Sequence, residues 1–245
     1  MTKVNIPILK TSKHTFFCEN LDSFELPPSE AHHANSVLRL KPMDCIKIIN
    51  GKGDLVIAEI KSISKKSLQF SVIEKRHQAK PNHHIHIAIA PTKSNDRIEF
   101  FLEKCTEIGI SEITPILSKN SERKQIKIER WNKIITSAAK QSNNLNFPII
   151  NEMVLFNQFI DHSKNKDYSY FIAHCEDDQN KIELKDEKIL TKKSCILIGP
   201  EGDFNMEEIN LAKLNNFKPV SLGESRLRTE TAGIIACHTL NLITY

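Results

Sequence analysis

Ile198-Gly199-Pro200-Glu201-Gly202-Asp203-Phe204 follows the apolar run Cys195–Ile198 and leads into Asn205, which has Glu208 three residues on, the spacing of a capping box. A second loop of this kind, Leu222-Gly223-Glu224-Ser225-Arg226-Leu227-Arg228-Thr229-Glu230-Thr231-Ala232-Gly233, joins the short run Val220–Leu222 to a helical stripe of Ala232, Ile235, Ala236, Thr239, Leu240 and Ile243. Strand, loop and helix in succession are the units of an α/β domain, whose ligands bind at the carboxyl ends of the strands. The chain has seven glycines, and four of them fall in these two loops. Glycine lets backbone approach a ligand closely, and Pro200 fixes the loop shape in advance. Two such loops can clamp a flat heterocycle through backbone groups.

The same alternation extends upstream. Ile85–Ala90, Ser111–Leu117 and Tyr168–His174 read as further strands. Between the first two, Ile98, Phe101, Leu102, Cys105 and Ile108 form a helical stripe that Gly109 closes, and after the second Trp131, Ile134, Ile135, Ala138 and Ala139 form another. Five strands alternating with helices predict a mostly parallel sheet covered on both faces. Residues 1–75 read differently. Thr15–Glu19, Asp44–Asn50, Asp54–Ile60 and Ser67–Ile73 are short strands split by turns such as Gly51-Lys52-Gly53-Asp54, with one helix that Ser29 caps and that turns Ala31, Ala34 and Leu38 to one side. This predicts a small β-barrel. The polar stretch Glu74–His84 reads as the linker between the two domains.

The 245 residues are 40% apolar and 26% charged, a globular composition without an apolar stretch long enough to span a bilayer. Met1–Lys13 carries Lys3, Lys10 and Lys13 with no apolar core behind them, which argues against a secretory signal. Cysteines 18, 45, 105, 175, 195 and 237 have no metal-ligand or redox spacing and are expected as reduced thiols in a cytoplasmic protein. The net charge of +4 is unevenly spread: residues 1–75 carry 11 basic and 8 acidic side chains, residues 76–150 carry 12 and 7, and residues 151–245 carry 11 and 15. A basic first two thirds can attract a polyanion or simply be solvated surface.

The two loops exclude some chemistry. There is no GxxxxGK[ST] run and no GxGxxG after a strand, so neither a triphosphate nor a dinucleotide site is expected. Glu201, Glu224 and Glu230 suit a cationic ligand better than a phosphate, and a sulfonium is such a cation. His83, His84 and His86 lie close together, but strand alternation separates 83 from 84 and 86, and no nearby cysteine or carboxylate is expected to complete a site. No metal site is expected there.

IGPEGDFNMEEI and SLGESRLRTETAGIIA resemble the C-terminal motifs of the SPOUT methyltransferases, most closely the branch that methylates N3 of a uridine in 16S ribosomal RNA. His32–Asp44, Ala90–Pro115 and Asn120–Pro148 agree with that family in order and spacing, so the resemblance covers nearly the whole chain. It implies a PUA-like, RNA-binding β-barrel over 1–75 and a SPOUT α/β domain with a deep trefoil knot over 76–245. It further implies S-adenosyl-L-methionine as methyl donor, the small ribosomal subunit as substrate, and a homodimer with the donor pocket near the subunit interface. Other outcomes are a SPOUT enzyme acting on transfer RNA or a ribose 2′-hydroxyl, a non-catalytic RNA-binding protein with a vestigial pocket, or a metabolic enzyme.

By that resemblance Ile198, Gly199, Glu201, Gly202, Leu222, Gly223, Leu227 and Arg228 hold the donor. Ala173 and His174 stand at the neighbouring strand end, with His174 read as a surface residue. Arg228 is the candidate to neutralise charge developing on uracil, and Glu230 to accept the N3 proton, orient Arg228 or cap the last helix. Arg39, Lys93, Arg97, Lys104, Arg123 and Lys140 match positions that can meet RNA; the lysines can equally be solvated or paired with Glu103 or Glu107. The sequence departs from the family twice. Asp203 stands where a second glycine is usual after GPEG, and Asn143-Asn144 where Gly-Arg is usual.

Overall fold

A computed structural model describes residues 14–163, 167–189 and 191–244. The lysine-bearing segment Met1–Lys13 lies outside them. The chain divides into two compact units, one of Met1–Lys80 with Ala139–Asn146, the other of Pro81–Ala138 with Phe147–Tyr245.

The first unit is built on a five-stranded sheet. Its strands are β1 (Thr15–Phe17), β2 (Glu25–Leu26), β3 (Cys45–Ile49), β4 (Asp54–Ile63) and β5 (Leu68–His77), paired in the order β1-β3-β4-β5-β2. Phe16, Leu26, Ile46, Ile48, Val56, Ala58, Ile60, Leu68 and Phe70 alternate inward to make its core. Gly51 and Gly53, both at positive φ, make the β3–β4 turn.

Two sequence expectations fail here. The helix α1 (Pro28–His32) starts on Pro28 after Pro27, so Ser29 lies inside the first turn and caps nothing. It then widens into a π turn over His33–Val37, closed by Leu38 N–H donating to the His33 carbonyl, while Ala31 and Ala34 stay buried. The expected linker Glu74–His84 is also shorter, because Glu74–His77 continue β5 opposite Asp54–Ile57. Those strand residues are mostly exposed, so no apolar alternation marked them.

The second unit holds an eight-stranded sheet whose pairings are all parallel. Its strands are β6 (His84–Ile89), β7 (Glu112–Leu117), β8 (Ile149–Ile150), β9 (Val154–Leu155), β10 (Ser169–Ala173), β11 (Ile182–Glu183), β12 (Lys193–Ile198) and β13 (Lys218–Ser221). The order is β11-β13-β10-β12-β6-β7-β8, with β9 also on β7. The central strands are apolar at consecutive positions because both faces are covered. Ile85, Ile87 and Ile89 face one core with Ile196 and Ile198, while Ala88 and Ala90 face another with Cys195 and Leu197.

Helices α2 (Asn95–Ile108), α3 (Ile128–Ser142) and α6 (Thr229–Ile243) supply the first core with Ile98, Phe101, Leu102, Cys105, Trp131, Ile135, Ala236 and Leu240. Gly109 ends α2 at φ 106, as its position predicted. Helices α4 (Phe156–Ser163) and α5 (Met206–Leu214) supply the other with Phe156, Phe159, Ile160, Ile209 and Ala212. The capping box at Asn205 and Glu208 is present. Against α2, a Cβ on Gly233 would stand 2.6 Å from the Phe101 ring, so this turn of α6 has no space for a side chain.

Candidate active site

The carboxyl ends of β10, β12 and β13 lie side by side, and the loops that follow β12 and β13 rise around them. Together they wall a cavity of about 680 Å³. Ile198, Gly199, Glu201, Leu222, Gly223, Leu227 and Arg228 all line it, along with Ala173, Val220 and Ala232. Gly223 sits at φ +124 with nothing within 4 Å of where a Cβ would stand, so its backbone is bare toward open space. Gly202 does not belong to the wall; its carbonyl accepts from Asn120 Nδ2 at 3.1 Å.

The first loop is held from outside at several points. Lys93 N–H donates to Glu201 Oε1 at 3.0 Å, and Asn120 Nδ2 reaches the carbonyls of Gly202 and Asp203. Asp203 takes φ +61, the left-handed region that favours glycine, which accounts for the glycine usual at this position. Its carboxylate accepts from Phe204 N–H through Oδ1 and from Cys175 N–H through Oδ2, both at 2.7 Å. The loop is thereby tied to the end of β10. Asn143, the other departure, likewise stands at positive φ, 55°, where asparagine substitutes readily for glycine. Fixed loops lose little freedom when a ligand arrives.

Charges of both signs border the cavity: Glu201, Asp203 and Glu224 against Lys181, Arg226 and Arg228. Lys181 Nζ is engaged with the carbonyls of His174 and Glu176 at 2.9 and 2.6 Å. Arg226 and Arg228 are exposed, and among the described residues neither has an ion-pair partner. Arg228 is the N-cap residue of α6, which places its side chain at the cavity wall. Lys181 and Arg226 line the cavity without being among the residues expected from the sequence. The alternation Arg226-Leu227-Arg228 was a usable signal for the second, whereas nothing marked Lys181.

Several other expected residues have protein partners. Glu230 is buried in the first turn of α6 and does not line the cavity; among the described residues it pairs with Arg97, with Nε 3.8 Å from Oε1, and Oε2 accepts no hydrogen bond. Arg123 Nε donates to the Thr92 carbonyl at 2.7 Å and a terminal nitrogen to that of Lys93, so it fastens the loop before α2. Lys93 pairs with Glu122 at 2.8 Å, and Lys104 with Glu103 and Glu107 at 2.7 and 3.0 Å. Lys140 pairs with Glu30 at 2.7 Å. Arg39 is exposed at φ 54.

Two histidine environments differ from the sequence expectation. His174 is buried, not at the surface; burial and then the Lys181 charge hold its pKa below the usual value, and neither ring nitrogen has a hydrogen-bond partner among the described residues. His84 and His86 do have a carboxylate neighbour, supplied by the adjacent strand. His84 Nε2 lies 2.8 Å from Glu112 Oε2, and Asn151 Nδ2 donates to Oε1 at 2.7 Å. Burial opposes ionisation of Glu112, but His84, the His86 charge and Asn151 outweigh it and hold its pKa down to about 2.

A cavity between two glycine loops at the carboxyl edge of a parallel sheet, in a chain that also holds a separate small β unit, fits an RNA methyltransferase. The RNA methyltransferase domain family matches residues 78–241, and the RNA methyltransferase PUA domain family matches residues 26–73. The chain belongs to the Ribosomal RNA small subunit methyltransferase E family. The protein of that name from Buchnera aphidicola subsp. Acyrthosiphon pisum is 31% identical over 88% of this chain and 86% of its own. Ribosomal RNA small subunit methyltransferase E 2 of Borreliella burgdorferi is 33% identical over 82% of this chain and 83% of its own. Among solved structures, a Porphyromonas gingivalis protein described as an rRNA methyltransferase shares 38% identity and a TM-score of 0.86, covering 94% of this chain and 98% of that one. A Legionella pneumophila protein described as a methyltransferase, solved with SAM bound, shares 28% identity and a TM-score of 0.77 over 89% and 90%.

S-adenosylmethionine fits the residues present. The cavity lies within the roughly 300–1,000 Å³ usual for small-ligand sites. Ile198, Val220, Leu222 and Leu227 offer apolar surface for a flat ring, and the bare backbone at Gly223 offers groups to its edge. Carboxylates and arginines in its lining suit a ligand that carries both charges.

Proposed function

We propose that the chain transfers a methyl group from S-adenosylmethionine to N3 of a specific uridine in 16S ribosomal RNA of the small subunit. The observation that carries this reading is the prearranged cavity between the two glycine loops, in a chain of this family. The donor supplies a methyl carbon on a positively charged sulfur; as N3 takes that carbon, the electron pair of the carbon–sulfur bond returns to sulfur. The N3 proton is lost to solvent. The chain's own contribution is mainly positioning and charge. Ile198, Gly199, Glu201, Gly202, Leu222, Gly223 and Leu227 hold the donor, with Gly202 acting through loop shape. Arg228, exposed and unpaired among the described residues, neutralises the charge that develops on the uracil oxygens.

Because N3 is occupied in paired RNA, the base is extruded to reach the cavity. Residues 1–75 supply an RNA-binding domain and residues 76–245 the catalytic one. The return of β13 beside β10, followed by α6 packing on α2, supports a knotted crossing. Exposed Phe100, Ile235 and Leu242 on α2 and α6 support a homodimer through that side. A cytoplasmic location follows from the substrate. The test is transfer of labelled methyl to small ribosomal subunits lacking the modification, followed by nucleoside mass analysis. N3-methyluridine establishes the reading, and donor binding with methyl on another nucleoside, or none, discards the substrate.

A further inference from the structure

Glu230 is a buried carboxylate that does not line the cavity. It is 7% exposed, and among the described residues its Oε2 has no hydrogen-bond partner, an arrangement that costs free energy and calls for an explanation. Among the described residues the cation paired with it is Arg97, in the first turn of α2, whose Nε approaches Oε1 at 3.8 Å, an ion pair but too long for a hydrogen bond. Arg97 is itself 38% exposed at the side chain and has no other ion pair among the described residues. A planar cation backed by a buried negative charge presents its remaining N–H groups outward in a fixed plane, and such a fork matches a phosphate. Arg97 does not line the cavity, whereas Arg228, two residues before Glu230, does. Its ligand is therefore beside the reacting base and not the base itself.

Resting on the methyl-transfer reading above, we propose that Glu230 is a positioning residue that aims Arg97 at a phosphate of the RNA flanking the extruded uridine, and that it takes no proton from the base. Tightening of the pair, with Oε2 gaining a guanidinium N–H, accompanies RNA binding.

The experiment uses the full-length protein, small ribosomal subunits lacking the methyl group and labelled S-adenosylmethionine, with E230Q, R97Q and the double variant. Both single variants are expected to raise KM for the subunits about tenfold while kcat stays within about threefold. The double variant is expected to be no worse than R97Q, because the two residues act as one unit. The pH dependence of kcat should be the same in E230Q as in the unsubstituted protein. Each variant should also lower the slope of log affinity for 16S RNA against log salt by about one. A kcat loss of about a hundredfold in E230Q with loss of the rising limb of the pH profile overturns the proposal and makes Glu230 the base. Unchanged KM and unchanged salt slope in R97Q overturn it as well, and R97Q decides even where E230Q fails to fold, since Arg97 is on the surface. Absence of methyl transfer by the unsubstituted protein defeats the functional reading alone, and the salt slope still decides the role of Arg97.

Discussion

The backbone N–H of Cys175 donates to Asp203 Oδ2 at 2.7 Å, so a residue in left-handed backbone fastens the loop after β12 to the end of β10. Asp203→Ala loses this bond and the one to Phe204 while leaving a side chain at positive φ. It should cost about 2 kcal/mol of stability. Asp203→Gly loses the same bonds but relieves the backbone, and should cost about 1 kcal/mol less. Both should weaken S-adenosylmethionine binding in titration calorimetry; full affinity in both would show that the tie does not shape the pocket.

Arg228→Ala should lower kcat/KM for methyl transfer by roughly 10²–10³, the scale of losing one charge-stabilising group, while chemical unfolding stays as in the unsubstituted protein. Arg228 is exposed, so the fold does not rest on its side chain. Near-normal transfer by the folded variant would remove Arg228 from the site.

Gly233→Ala forces a methyl group against the Phe101 ring, 2.6 and 2.7 Å from two of its carbons. The overpacking should destabilise by about 1–3 kcal/mol, read as a lowered urea midpoint. Adding Phe101→Leu should recover part of it; no recovery would place the cost elsewhere in α6.

Glu112 has a folded pKa of about 2 against an ordinary 4.5. A carboxylate with a depressed folded pKa stabilises the fold above its unfolded value and loses that contribution as pH falls toward the folded one. Stability should therefore decline between roughly pH 4.5 and 2. Glu112→Gln should be less stable near neutral pH and show a flatter decline in that window. Urea unfolding followed by circular dichroism at stepped pH reads both; parallel curves would mean the His84 contact carries no linkage.

Apolar periodicity made α2 and α6 legible, and glycine placement made both loops legible, because each signal is local. The stripe Phe156, Phe159, Ile160 and Ser163 of α4 had the right spacing but spans only two turns, too few to stand out from a loop. The polar end of β5 and the two-residue strands β2, β8, β9 and β11 had no periodicity to detect. Side-chain partners were the least legible. Glu112 meets His84, and Arg123 meets Thr92, only because parallel strands far apart in sequence become neighbours. Strand alternation shows which way a residue points, not which strand lies alongside. The two departures from the family pattern had a local meaning after all, since Asp203 and Asn143 both occupy left-handed backbone.

The parallel pairing of β6 with β12 has a kinetic consequence. Strand β6 is made early in synthesis, but its partner over Lys193–Ile198 leaves the ribosome only after most of the chain has followed. Until then Ile85, Ile87 and Ile89 lack half of their sheet. Sheets closed by such distant pairings form slowly and leave adhesive edges waiting. The antiparallel β3–β4–β5 meander, made from neighbouring segments, can assemble first. Nascent chains of this protein are thus expected to depend on holding chaperones for the parallel sheet and not for the meander.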